Sequence, residues 1–185
     1  MKFILGLIVG VVIVPLAAFA YLWWGGMPVA VFDKDLPFEK MLAHKALDAR
    51  IGKEAPKAAP IPANEASFAA GAEIYKQHCA VCHSLEEGGP SSIAIGEYPK
   101  PPKLLQGKGV TDDEPGETYW KVANGIRLTG MPGFKQSLSD TQMWQVSLLL
   151  AQADKIPATV KQSLMPSPAA PPTPTLPAGT TPAPR

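Results

Sequence analysis

From Phe3 to Trp24 the chain carries no charged side chain: FILGLIVGVVIVPLAAFAYLWW. At about 1.5 Å per residue this run spans about 33 Å as a helix, enough to cross the hydrocarbon core of a bilayer. Lys2 is the only charged side chain before it. A positive residue retained in the cytoplasm leaves the rest of the chain on the other side. Tyr21, Trp23 and Trp24 stand at the far end, where amphipathic rings favour the interface. Pro15 is tolerated in a membrane helix. A cleaved signal peptide fits the same stretch: Phe3 to Val14 as its apolar region, Ala18-Phe19-Ala20 as a small-x-small cleavage site. Cleavage would leave Tyr-Leu-Trp-Trp as an apolar N-terminus, which an intact anchor explains better. Both readings export everything that follows. Gly6 and Gly10 form a GxxxG pair, a pattern too common in apolar runs to assign helix dimerisation.

The rest of the chain divides by composition. Residues 1–26 are read as the anchor and residues 27–64 as a juxtamembrane helix and linker. Within the latter, residues 33–51 place Phe38, Met41, Leu42, Ala46 and Ala49 at helical spacing after Pro37. Residues 52–64 carry three prolines and four alanines, a linker composition. Residues 157–185 carry nine of the chain's 21 prolines and only Lys161 and Arg185 as charges, so a disordered tail is expected there. Residues 65–156 remain as one small domain.

Charge and cysteine count remove several functions. With 17 basic and 16 acidic residues the chain is close to neutral, without the electrostatic footprint of nucleic-acid binding. Two cysteines make neither a disulfide framework nor a four-thiolate zinc site.

Three helices are expected in the domain. The first runs from Ser67 to Gln77 with Phe68, Ala72 and Tyr75 on one face. Gly71 shares that face; a glycine there costs about 1 kcal/mol against alanine and so points to a close helix contact. The second runs from Pro115 to Asn124, with Pro in its first turn and Gly125 to end it. The third starts at Ser139 or Asp140 as N-cap and runs to Asp154, with a stripe of Trp144, Leu148 and Ala151 broadened by Val146, Leu149 and Leu150. Between them lie Gly- and Pro-rich loops, EEGGPSS and GEYPKPPK. The domain is therefore all-α with long loops. Its core is thin for its size, which calls for something further to fill the centre.

The two cysteines supply that. Cys79-Ala80-Val81-Cys82-His83 is the attachment pattern of c-type haem. Two thiols three residues apart at a helix end can each add to a haem vinyl group, and the following imidazole comes to lie under the iron. A thioredoxin-like dithiol needs a βαβ context that is absent here. A zinc site needs about four ligands, and only His44 and His78 are left to complete one. Of the methionines, Met131 stands apart. It lies in Gly130-Met131-Pro132-Gly133-Phe134, a tight loop whose glycines and prolines fix the backbone. A thioether is a soft ligand that stabilises ferrous iron. Met143 reads as core filler, and His44 and His78 as surface residues.

CAVCH, followed 48 residues after His83 by Met131 in GMPGF, resembles a class I cytochrome c of the small bacterial, membrane-anchored, monohaem type. YWKVANGIRLTGMPGF is similar to the distal segment of that group. The resemblance covers residues 65–156. It implies a class I cytochrome c fold around one covalently attached haem c, with Cys79 and Cys82 as thioethers, His83 as proximal and Met131 as distal ligand. It implies that the carbonyl of Pro90 accepts the proximal imidazole N–H. Gly71 and Tyr75 match first-helix positions that cross the last helix at Trp144 and Leu148. Trp120 looks like a haem-packing aromatic whose indole N–H reaches a propionate, or else plain core. Arg127 either pairs with a propionate or faces water.

With both axial positions filled by protein, the site suits single-electron transfer and not catalysis. The expected function is an electron carrier on the periplasmic face of a bacterial inner membrane. Its partners would be a dehydrogenase or quinol-oxidising complex and a terminal oxidase or other acceptor. The alternative is a haem enzyme or small-ligand sensor with a displaceable Met131. Within residues 66–156 there are 10 acidic and 8 basic side chains and no dense lysine ring. Recognition would then rest on an apolar patch with weak steering. Asp112-Asp113-Glu114 reads as a solvated loop.

Overall fold

The computed structural model describes residues 2–106 and 113–166, apart from the Leu5 side chain. Among the described residues all regular structure is helical. The described residues form two compact units that divide between Ala49 and Arg50.

The first unit holds α1, Lys2–Trp23, a helix long and apolar enough to cross a membrane. Pro15 lies inside it, and Phe19 stacks on Trp23 one turn later. α2, Glu39–Glu54, begins in this unit, close to the start expected after Pro37, and its C-terminal turns belong to the second unit. There Ile51 is buried.

The second unit is built around α7, Asp140–Ala151. Ser139 caps it: its hydroxyl accepts the Gln142 N–H, and the Gln142 side chain accepts the Ser139 N–H at 2.9 Å, a reciprocal capping box. Met143, Trp144 and every residue from Val146 to Ala151 are buried, so α7 is covered almost all round. One cover is α3, Glu65–Ile74, capped by Asn64, whose side chain accepts the Ser67 N–H at 2.9 Å. Gly71 is the contact point: a Cβ there would stand 2.4 Å from the Gln145 carbonyl oxygen and 3.1 Å from Leu149 Cβ. The expected close helix contact is present, one position further along α7 than Trp144 and Leu148.

Trp144 turns instead to the other cover, α6, Pro115–Asn124, where it stacks on Tyr119 with ring centroids 4.3 Å apart. The Tyr119 hydroxyl donates to Asp140 Oδ1, a bond that pushes the phenol up to about 12. α6 has the boundaries expected from Pro115 and Gly125. Gly125 takes φ +68°, a conformation that favours glycine.

Part of the expected tail is ordered. α8, Ala158–Ser163, brings Val160 and Leu164 into the core, 3% and 0% exposed. Ile156, Val160 and Leu164 recur every fourth residue, an apolar stripe masked by Pro157 and by the proline content of the segment beyond. Lys161 pairs at 3.1 Å with the buried carboxylate of Glu86, and the Glu86 N–H donates to the Leu164 carbonyl. The remainder of the tail, residues 167–185, lies outside the described residues.

Candidate haem site

Cys79, Cys82 and His83 come from one continuous helical segment. α3 passes into a π-helical turn, Tyr75–Cys79, and then into α4, Ala80–His83. Such widened turns are frequent at functional sites. Tyr75 fixes the turn. It is fully buried, and its hydroxyl donates to the Ser84 carbonyl at 2.7 Å, closing the segment on itself.

Both thiols are unbridged. Burial, and after it Cys82, pushes the Cys79 thiol up to about 12. The Cys82 thiol is also raised, by burial first and then by its hydrogen bond to Glu97. Reactive dithiol sites lower a thiol pKa to expose a thiolate. This pair does the reverse, so redox-dithiol chemistry finds no support here.

The His83 ring is oriented from outside its own helix. Its Nδ1 lies 2.7 Å from the carbonyl oxygen of Pro102. A carbonyl only accepts, so Nδ1 carries the proton and Nε2 keeps its lone pair for a metal. The acceptor is therefore Pro102 and not Pro90. Ser84 has φ +64°, Gly88 N–H donates to the Leu85 carbonyl, and Ser84 Oγ donates to the Gly89 carbonyl at 3.1 Å. The segment before Pro90 thus curls back on Ser84, which leaves Pro90 exposed and the imidazole free for Pro102. The acceptor belongs to the loop GEYPKPPK, which follows α5.

Met131 is held by backbone geometry at the C-terminal end of α6. Gly125 and Gly133 let two strands of chain touch: a Cβ on Gly125 would lie 2.5 Å from Gly133 N, and one on Gly133 2.7 Å from the Asn124 carbonyl oxygen. Phe134 N–H donates to the Val122 carbonyl, Ile126 N–H to the Met131 carbonyl, and Thr129 Oγ1 accepts the Met131 N–H at 3.1 Å. The Met131 side chain is partly buried against the core. Two contacts connect this loop to the attachment segment. The His78 ring meets the Phe134 edge at 6.0 Å, and Glu97 lies between Cys82 and Gly130.

Of the other residues named from the sequence, Trp120 is placed differently, whereas Arg127, His44, His78 and Met143 stand at positions the sequence reading allowed. The indole N–H of Trp120 donates to Glu54 Oε2 at 3.1 Å, so it is already partnered on the side of α2. The same segment approaches α6 at Gly116, which has room for no side chain beside the Pro56 carbonyl. This bond lowers the Glu54 pKa. Arg127 and His44 are exposed, and His78 is exposed beside Phe134. Met143 is core, 4% exposed. Asp113 pairs with Lys121 at 2.7 Å, and Asp112 lies outside the described residues.

Two thiols, an imidazole with a free Nε2 and a partly buried thioether form a donor set that fits haem c. The helical fold and this donor set are similar to those of a c-type cytochrome. Residues 66–148 match the family model of cytochrome c oxidase, cbb3-type, subunit III. Among solved structures, a chain of the reducing HAO-like protein complex of Kuenenia stuttgartiensis is similar at 26% identity and a TM-score of 0.46. The alignment covers 53% of this chain and 48% of that one, so this chain spans about half its length. No curated protein matches.

Proposed function

We propose that this chain is a membrane-anchored electron carrier that binds one haem covalently through Cys79 and Cys82, with His83 and Met131 as axial ligands. When bound, the haem supplies a one-electron Fe(III)/Fe(II) couple. The residues of the chain orient and enclose it. Pro102 fixes the His83 tautomer and raises the basicity of the ring, and the Gly125–Gly133 contact holds Met131 in a loop of low freedom. His83 and Met131 would both hold the iron from the chain itself, so the site would change little as the haem supplied its one-electron couple.

The bond from His83 to Pro102 carries this reading most, because it commits one ring nitrogen and reserves the other. α1 supports an anchor that holds the domain on the periplasmic face of a bacterial inner membrane, and tethering raises its local concentration near redox partners there. Those partners would be a dehydrogenase or quinol-oxidising complex on one side and a terminal oxidase or other acceptor on the other.

The intact mass of the protein purified from membranes tests this. The expected species is the chain with residues 1–20 retained and one haem added. A chain of unmodified mass contradicts the haem reading, and loss of the first 20 residues contradicts the anchor.

A further inference from the structure

Glu97 stands between the two segments that define the site. Its Oε1 accepts a hydrogen bond from Cys82 Sγ at 3.2 Å. On its other side is Gly130, the residue before Met131: a Cβ there would stand 2.7 Å from Glu97 Cδ and 3.0 Å from both carboxylate oxygens. One side chain therefore touches the second attachment cysteine and the start of the distal loop.

The backbone aims it there. α5, Ser92–Ile95, is capped by Ser91, whose Oγ accepts the Ala94 N–H at 3.1 Å and donates to the Val81 carbonyl at 2.5 Å. These two hydrogen bonds tie α5 to the segment that carries the cysteines. Gly96 closes the helix, and Glu97 follows, partly buried. Glycine at position 130 leaves the space that the carboxylate fills.

We propose that Glu97 holds down the reduction potential of the bound haem through its negative charge, and that Gly130 makes room for it. A carboxylate at the point of attachment stabilises the centre with the higher positive charge, which is the oxidised one. A Cys82 sulfur that has become a thioether no longer donates, and the space that Gly130 leaves still admits the carboxylate beside it. The inference rests on the haem reading above.

Potentiometric titration of the haem-loaded full chain tests it. Glu97→Gln keeps the shape and removes the charge; its midpoint is expected above wild type, by a margin that shrinks as salt rises. Glu97→Asp keeps the charge and is expected to recover most of the wild-type value. Gly130→Ala, which displaces the carboxylate, shifts the midpoint in the same direction as Glu97→Gln. An unchanged midpoint in Glu97→Gln overturns the inference, as does an equal rise in Glu97→Asp; should Glu97→Gln not fold, an unchanged Gly130→Ala midpoint does the same. Haem content of the same samples separates the two readings: haem-loaded variants at the wild-type potential remove the role of Glu97 alone, whereas a wild-type chain without covalent haem removes the reading beneath it.

Discussion

His83 Nδ1 and the carbonyl oxygen of Pro102 are 2.7 Å apart, although 19 residues separate them in sequence. The contact spans the whole proximal loop and sets the orientation of the ring that would meet the iron. A donor–acceptor bond of this length to a fixed carbonyl gives the imidazole partial anionic character, which favours the ferric state. Pro102→Gly keeps the carbonyl but loosens the backbone that aims it. The expected result is haem still attached and a midpoint potential above wild type, read by potentiometry.

Gly71 has no room for a methyl group, since the first obstacle to a Cβ is the Gln145 backbone carbonyl and not a flexible side chain. Gly71→Ala must push α3 away from α7. Overpacking of this kind costs about 1–3 kcal/mol. Thermal unfolding followed by circular dichroism should show a clearly lower midpoint, with helix content unchanged in the cold.

Leu164 is fully buried and sits just beyond α8. Leu164→Ala should destabilise the domain by about 2–5 kcal/mol, as for other leucines removed from a packed core. Urea unfolding measures it. A loss below about 0.5 kcal/mol would mean that residues 157–166 are a dispensable tail after all.

Cys79→Ser and Cys82→Ser should each leave at most one thioether, seen as less haem surviving acid extraction than in the wild type. Cys79 is the more enclosed of the two thiols in its electrostatic surroundings, pushed up to about 12 by burial. Cys79→Ser is therefore expected to disturb folding more, read as the lower melting temperature. A stable, well-folded apoprotein from either variant would count against haem as part of the core.

Much of this was written in residues whose side chains carry the signal. Pro115 and Gly125 marked both ends of α6, Gly71 marked a helix crossing, and CAVCH marked the segment that carries both thiols and the oriented His83 ring. What was hidden follows a physical rule as well. The partner of His83 is a backbone carbonyl, which every residue possesses, so nothing in the sequence singles out Pro102 over Pro90; only the curl of Ser84 to Gly89 decides it. Glu97 is a lone carboxylate among glycines and prolines, and its two neighbours come from distant segments. α8 was lost because composition was averaged over a long proline-rich stretch while three apolar residues at its start kept helical spacing. Trp120, which the family resemblance offers either as a haem-packing aromatic or as plain core, directs its indole N–H to Glu54, 66 positions earlier.

The ferric absorption spectrum of the purified, haem-loaded chain tests the central claim most directly. Ligation by His83 and Met131 predicts a low-spin spectrum with the weak long-wavelength band of a methionine–iron bond, lost in Met131→Ala while the haem stays attached. A high-spin ferric spectrum without that band in the wild-type chain would contradict it, leaving an open iron position and no case for a simple electron carrier.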